Sequence, residues 1–249
     1  SSSMDIPRSI YNLKFFTQYV KDYNFNFKLI NKTSHSEVVS KPLGVVGCIS
    51  PWNLPLYLFT WKIAPALITG NTVIAKPSEY TPTTAFMLSK FCREINLPPG
   101  VLNILHGVGD EVGAAIVNHE KVRAISFTGS TKVGRTIAKS CGNQMKKFSL
   151  ELGGKNPFII TENANTSDAV STAMRAAFTN QGQVCLCSSR IYIHESKYQK
   201  VKEEIINKLK NLTPKNPEDK ESRFGSLTSK EHFIKVNKYI EMAKNEPCI

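Results

Sequence analysis

Ala124-Ile125-Ser126-Phe127-Thr128-Gly129-Ser130-Thr131-Lys132-Val133-Gly134 runs from an apolar strand into a glycine and hydroxyl turn and out again into a helix. A strand over Ala124–Phe127 that turns at Gly129-Ser130 and opens a helix over Lys132–Ser140 is one step of a parallel α/β sheet. Free backbone N–H groups, the Ser130 hydroxyl and the helix dipole suit a pyrophosphate at that junction. Ser130 or Thr131 acting as an ordinary N-cap accounts for the same residues.

Working outward, the same unit repeats. Strands are expected at Gly44–Ile49, Thr72–Ala75, Val101–Leu105 and Lys147–Leu150, with helices at Pro82–Ile95 and about Glu111–Val117. After Gly153-Gly154 the pattern restarts with a strand at Pro157–Ile160, a helix from about Thr166 to Asn180, a strand at Arg190–Ile193 and a helix at Lys197–Lys210. A polar, Pro-rich loop is expected over Thr213–Ser222. This alternation predicts a doubly wound parallel-sheet domain followed by part of a second α/β domain. No repeat or low-complexity tract interrupts it.

The bulk properties narrow the function. The chain has 249 residues, 41% of them hydrophobic, enough for a sizeable core. Its apolar runs, such as Leu54–Phe59 and Phe158–Ile160, fall far short of the roughly 18 to 20 residues a membrane span requires, and Ser1–Ile10 lacks a signal-peptide pattern. A net charge of +12 raises the question of nucleic acid. However, Lys197, Lys200, Lys202, Lys208, Lys210, Lys230, Lys235 and Lys238 alternate with Glu203, Glu204, Glu231 and Glu241, as on solvated helix faces. No nucleic-acid motif accompanies the charge, so neither nucleic acid nor membrane is expected as a partner. Six cysteines, Cys48, Cys92, Cys141, Cys185, Cys187 and Cys248, suggest free thiols in a reducing compartment, the cytoplasm. Cys185 and Cys187 lack the spacing and companions of a metal site, so no metal is expected.

Three segments carry candidate chemistry. Cys185 follows Asn180-Gln181-Gly182-Gln183-Val184; a buried structural cysteine is the commoner fate, but a thiolate nucleophile needs a base and an oxyanion donor, and the chain offers both. Glu151, in Leu150-Glu151-Leu152-Gly153-Gly154-Lys155, is an acid placed just after an apolar strand and before a flexible glycine pair, where a solvated side chain is the default and a general base the alternative. Asn53, in Ser50-Pro51-Trp52-Asn53-Leu54-Pro55, sits in a loop stiffened by two prolines, either as a turn residue or as an amide aimed at a developing oxyanion. Gly107, Gly109 and Gly113 miss the dinucleotide fingerprint by one residue.

These motifs, with Ala75-Lys76-Pro77-Ser78-Glu79, stand in the order seen in the aldehyde dehydrogenase superfamily, which the chain resembles over nearly all its length. Met4-Asp5-Ile6-Pro7-Arg8-Ser9 and Val184-Cys185-Leu186-Cys187 look most like its 2-aminomuconic semialdehyde group. The resemblance implies NAD-dependent oxidation of an aldehyde to a carboxylic acid, with retinal and betaine aldehyde as other substrates of the superfamily. Cys185 would be the nucleophile, forming a thiohemiacetal and then a thioester; Asn53 would hold the oxyanion and Glu151 would activate the hydrolytic water. Lys76 and Glu79 would hold the adenosine ribose, and Glu79 favours NAD because it repels the 2'-phosphate of NADP. Ser130, with Gly129 and Gly134, would receive the pyrophosphate, while Pro51, Trp52 and Phe127 would shape the cleft or equally belong to the core. Arg8 would bind a substrate carboxylate through its guanidinium fork, although a plain surface arginine reads the same way.

The resemblance also implies domains: 1–23 with 43–152 as a partial NAD-binding domain, 24–42 as an oligomerisation hairpin, and 153–249 as a partial catalytic domain. A homodimer or homotetramer is the expected assembly. Superfamily members are about twice this long, so the chain reads as a fragment lacking both ends. Alone it is expected to be poorly stable and catalytically impaired, with exposed sheet edges. The competing reading is a non-catalytic structural or binding protein on the same fold; against it, Cys185, Glu151 and Asn53 are all present.

Overall fold

The computed structural model describes residues 4–23, 25–210, 212–219, 222 and 224–247. Cys248, one of the six cysteines, lies outside the described residues. The chain divides into two compact units, Ser1–Leu152 and Gly153–Ile249.

The N-terminal unit begins with helix α1 (Asp5–Asp22) and an antiparallel hairpin, β1 (Phe27–Ile30) and β2 (His35–Val38), in the register Phe27↔Val38. The hairpin turn is closed by Asn31, whose side-chain oxygen accepts from the backbone N–H groups of Thr33 and Ser34 at 2.9 and 2.7 Å. Five parallel strands follow: β3 (Val45–Ile49), β4 (Thr72–Lys76), β5 (Leu102–Ile104), β6 (Val122–Gly129) and β7 (Lys147–Leu152). Their order across the sheet is β5-β4-β3-β6-β7. The chain moves outward from β3 to β5, then crosses back to lay β6 on the other side of β3. A topological switch point therefore lies between the carboxyl ends of β3 and β6, where α/β sheets bind ligands.

Side-chain alternation along β3 divides the core. Val46 and Cys48 point to one face, where Phe59 and Ile63 of α2 (Pro55–Ile68) and Ala85 of α3 (Thr83–Glu94) bury against Val73 and Ala75. Ile49 points to the other, joining Ile116 and Val117 of α4 (Ala114–Asn118) and Ile137 and Cys141 of α5 (Thr131–Asn143) over Ile125 and Phe127. Helices on both faces make the sheet doubly wound, as the alternation predicted. In α5 the buried residues Gly134, Ile137 and Cys141 recur at helical spacing. Gly134 packs closely, since a Cβ there would stand 2.6 Å from the tip of the Leu152 side chain, which would have to shift.

Several local expectations change. Helices over Asp5–Asp22 and Pro55–Ile68 were not foreseen: α1 buries Asp5, Ser9 and Asn12 while Tyr11, Phe15 and Tyr19 stay exposed, and α2 is apolar almost all round with Pro65 inside it. The helix expected over Glu111–Val117 is instead a π-helical turn, Gly109–Gly113, running into the short α4. Strand β7 continues to Leu152 because β6 extends to Gly129 and supplies partners, so Glu151 is a strand residue opposite Thr128 rather than a residue beyond the strand.

The C-terminal unit pairs β8 (Asn156–Ile160) with β9 (Ser188–Ile193) in parallel. Helix α6 (Thr166–Phe178), N-capped by Asn165, forms the crossover; α7 (Tyr198–Leu209) and α8 (Lys230–Asn245) follow. Ile160, Val170 and Val201 form its buried cluster. The helix expected to reach Asn180 stops at Phe178, because Asn180 and Gln181 take φ of 51° and 56°.

Candidate active site

Most of the candidate residues stand on one rim, at the carboxyl ends of the strands of the N-terminal unit. The loop Pro51-Trp52-Asn53 leaves β3, Lys76 closes β4, Ser130 follows β6, and Glu151 lies near the end of β7. The loops after β3 and β4 are tied together. The Ser50 N–H donates to the Lys76 carbonyl at 3.1 Å, and the Thr81 hydroxyl donates to the Trp52 carbonyl at 3.1 Å. Asn53 is half-buried between these ties and the first turn of α2.

Lys76 is buried, yet its ammonium reaches Glu79 at 3.1 Å and also donates to the Pro77 carbonyl at 3.2 Å. The Glu79 carboxylate stays 39% exposed, which leaves acceptor capacity for a ligand. Partial burial pushes the Glu79 carboxyl up, but a backbone N–H bond and the Lys76 ammonium outweigh it and hold the group below the ordinary carboxylate range. A carboxylate kept ionised beside a buried cation suits ribose hydroxyls and repels phosphate.

Ser130 is the N-cap of α5, its hydroxyl accepting from the Val133 N–H at 3.3 Å. Of the two capping candidates it is the one used, and it remains exposed at the start of a 13-residue helix. A Cβ on Gly129 would overlap the Phe127 ring, so this turn admits only glycine if the ring keeps its place. A helix N-terminus beside the switch point, with Lys76 and Glu79 on the neighbouring rim, fits the phosphate and ribose ends of a dinucleotide.

One buried residue between α2 and the sheet escaped the sequence reading. Lys62 in α2 faces the sheet, is 4% exposed, and donates weakly to the Ser126 hydroxyl at 3.4 Å. Burial lowers its pKa to about 8, against smaller opposing pulls from Cys48 and Glu151. Cys48 beside it is inert, its thiol pushed up to about 12 by burial despite Lys62. The signal was a lysine inside the apolar run Trp61–Leu67, where a charge has no solvated face to occupy.

Cys185 lies in the C-terminal unit, ahead of β9, and is exposed. Asn180, Gln181 and Gly182 before it all have positive φ, of 51°, 56° and 75°; for the two non-glycine residues this costs about 1–2 kcal/mol each. Asn156 pins the segment, its amide donating to the carbonyls of Cys185 at 2.6 Å and Cys187 at 3.2 Å. Cys187, two residues on, is buried, with its thiol against the Thr179 carbonyl at 3.7 Å and its pKa raised by burial. Of the two thiols, only Cys185 is presented to a reactant. Among the described residues no group of three or more His, Cys, Asp or Glu could hold a metal ion, and no helix is long and apolar enough to cross a membrane.

Arg8 is exposed on the first turns of α1 and lines a cleft of about 600 Å³ with Met4, Pro7, Tyr11 and Tyr57. Tyr57 stands four residues after Asn53, so this cleft and the Asn53 loop share the N-terminal end of α2.

A doubly wound parallel sheet whose carboxyl rim joins an acid-lysine pair to a capped helix N-terminus is an arrangement suited to a dinucleotide. The aldehyde dehydrogenase family profile matches residues 1–248, and the chain belongs to that family. It is 46% identical over 245 residues to a 2-aminomuconic semialdehyde dehydrogenase of Danio rerio, and 44% identical over 245 residues to that of Homo sapiens; both alignments cover 98% of this chain and 50% of the relative. The NAD+ complex of an aldehyde dehydrogenase from Bacillus cereus superposes with a TM-score of 0.94 at 36% identity, covering 97% of this chain and 49% of that one. The chain thus spans about half the length of the relatives it matches.

Proposed function

We propose that the protein of which this chain is part oxidises an aldehyde to a carboxylic acid with NAD, and that its substrate is 2-aminomuconic semialdehyde. The observation that carries the reading is the single rim bearing Asn53, Lys76 with Glu79, Ser130 and Glu151. Family membership and the NAD+-bound relative support the cofactor; identities of 44 and 46% to 2-aminomuconic semialdehyde dehydrogenases support the substrate.

The Cys185 thiolate attacks the aldehyde carbon, forming a C–S bond as the carbonyl oxygen takes up negative charge. By resemblance to the family, Asn53 would be the amide that donates to that oxygen, together with the nucleophile's own backbone N–H. NAD, when bound, supplies the oxidising power by accepting hydride from the same carbon. Lys76 and Glu79 would hold its adenosine ribose, and Ser130 with the α5 N-terminus its pyrophosphate, with Pro51, Trp52, Gly129 and Gly134 shaping the seat. The acyl group is then a thioester on Cys185. Glu151 takes a proton from water as it attacks, the C–S bond breaks, and the carboxylate leaves. Arg8 pairs with the substrate's carboxylate in the cleft it lines.

The hairpin β1-β2 exposes every residue, Phe27, Leu29 and Ile30 among them. That supports burial of the hairpin in a homodimer or homotetramer, with 1–23 and 43–152 as the cofactor domain and 153–249 as part of the catalytic domain. The free thiols of Cys48, Cys92, Cys141, Cys185 and Cys187 support a reducing, cytoplasmic setting.

The test is NADH formation by the chain extended to its relatives' length, across a panel of aldehydes. A best substrate that is a dicarboxylic semialdehyde, with Arg8→Ala weakening its use while sparing simple aldehydes, supports the reading. Equal losses on both substrate types remove the role of Arg8, and a folded, NAD-binding protein silent on every aldehyde removes the enzymatic reading.

A further inference from the structure

Helix α2 has no cap of its own. Its N-cap residue, Leu54, offers no side-chain acceptor, and Pro55 follows. The cap comes from another helix. Asp5 at the head of α1 is 5% exposed, and its two carboxylate oxygens accept the Leu56 N–H at 3.1 Å and the Tyr57 N–H at 2.9 Å. One helical face of α1 continues the grip. The Ser9 hydroxyl donates to the Asp5 carbonyl at 2.6 Å within α1 and does not reach α2, whereas fully buried Asn12 donates across to the Tyr57 carbonyl at 2.9 Å and the Thr60 hydroxyl at 3.0 Å.

A buried carboxylate is a costly way to join two helices, since its desolvation must be offset by the bonds it makes. Apolar contact alone would join them, and Phe16 against Trp61 already provides some. What the carboxylate adds is direction: it fixes the position and rotation of the first turn of α2, three residues beyond Asn53. On the other side of Asn53 the Trp52 carbonyl is held by Thr81. Asn53 therefore sits between two clamps, one from α1 and one from the loop after β4. Arg8 stands three residues after Asp5 on the same helix, so the proposed carboxylate contact and the oxyanion donor share one mount.

We propose that Asp5 is a positioning residue for the reaction, acting through the first turn of α2 to aim the Asn53 amide. The inference rests on the reading of Asn53 as oxyanion donor. It assigns Asp5 no contact with substrate.

The test is a double-mutant cycle in the chain extended to its relatives' length, reading kcat, KM for aldehyde and for NAD, and thermal unfolding. Asp5→Ala is expected to lower kcat about ten- to a hundredfold, the scale of a reacting group misplaced by about 1 Å, while leaving KM for NAD unchanged. Asp5→Asn, which keeps one acceptor oxygen, recovers part of the loss. In an Asn53→Ala background, where the residue to be aimed is gone, Asp5→Ala lowers the residual kcat less than about twofold. Ser9→Ala, which leaves both carboxylate bonds in place, keeps kcat at its parent value. Should Asp5→Ala fail to fold, Asp5→Asn in both backgrounds makes the same comparison. Equal fold-losses in the two backgrounds, or a Ser9→Ala loss as large as that of Asp5→Ala, overturn the proposal and leave Asp5 a structural cap. An Asn53→Ala protein with undiminished kcat overturns the oxyanion reading, and this inference with it.

Discussion

The N-terminal unit closes apolar clusters on both faces of five parallel strands, whereas the C-terminal unit has two strands and a buried cluster of Ile160, Val170 and Val201. The first holds the rim with its acid, amide and cofactor-type residues. The second holds the exposed thiol on a backbone with consecutive positive φ angles, beside strands whose Ile159 and Tyr192 are 69% and 51% exposed. Strands need neighbours on both edges and cover on both faces before their apolar residues are removed from water. The residues proposed to bind cofactor thus stand on the better buried scaffold, and the proposed nucleophile on the less buried one.

The sharpest contrast within the C-terminal unit is between its two cysteines. In the extended protein, Cys185→Ala is expected to abolish aldehyde-dependent NADH formation, measured by absorbance. Cys187→Ala, which trims a buried thiol, should keep the chemistry and cost only stability. Loss of activity from Cys187→Ala in a folded protein, with Cys185→Ala still turning over, would reverse the assignment.

The two scaffolds can be compared directly by hydrogen exchange on this chain. Amides of β3, β4 and β6 should be protected by several kcal/mol more than those of β8 and β9. Equal protection would show that the small parallel pair draws stability from a source other than its own core. Core truncation sharpens the same point: Ile125→Ala should lower the stability of the N-terminal unit by about 2–5 kcal/mol in denaturant unfolding.

A smaller effect concerns Lys62. Its folded pKa, about 8, lies below the ordinary lysine value of 10.5. The unfolded chain therefore binds more protons between those values, and stability rises with pH through that window. Cys48, raised to about 12, acts in the opposite sense above the ordinary thiol range, so the clean interval is about pH 8 to 9. Lys62→Met should raise stability at neutral pH by up to about 3 kcal/mol and flatten this slope in thermal unfolding followed against pH. An unchanged slope would mean that Lys62 is solvated in solution.

Much of the architecture was legible because strands such as Val45–Ile49 and Thr72–Lys76 are short apolar runs between turn residues, and α5 has a regular apolar stripe. The π-helical turn at Gly109–Gly113 and the end of α6 at Phe178 were not, because both are set by backbone torsions that periodicity does not report. Helix α1 was hidden because its buried face is polar: Asp5, Ser9 and Asn12 turn inward for hydrogen bonds while the aromatic residues stay outside. Helix α2 was hidden because it lacks a polar face, and Lys62 with it. The motifs around Asn53, Glu79, Ser130 and Glu151 could be read as candidates, but their meeting on one rim could not.

By itself, then, the sequence determined the alternation of strands and helices, the order of the motifs and the family they resemble, since each is written in residues a few positions apart. Tertiary structure alone decided that β3 lies at the centre of the sheet, that Lys76 reaches Glu79 from a buried position, and that α1 caps α2. Strand order and helix docking are settled by contacts between segments distant in sequence, such as Asp5 with Leu56 and Tyr57, whose energy appears only after the chain has folded.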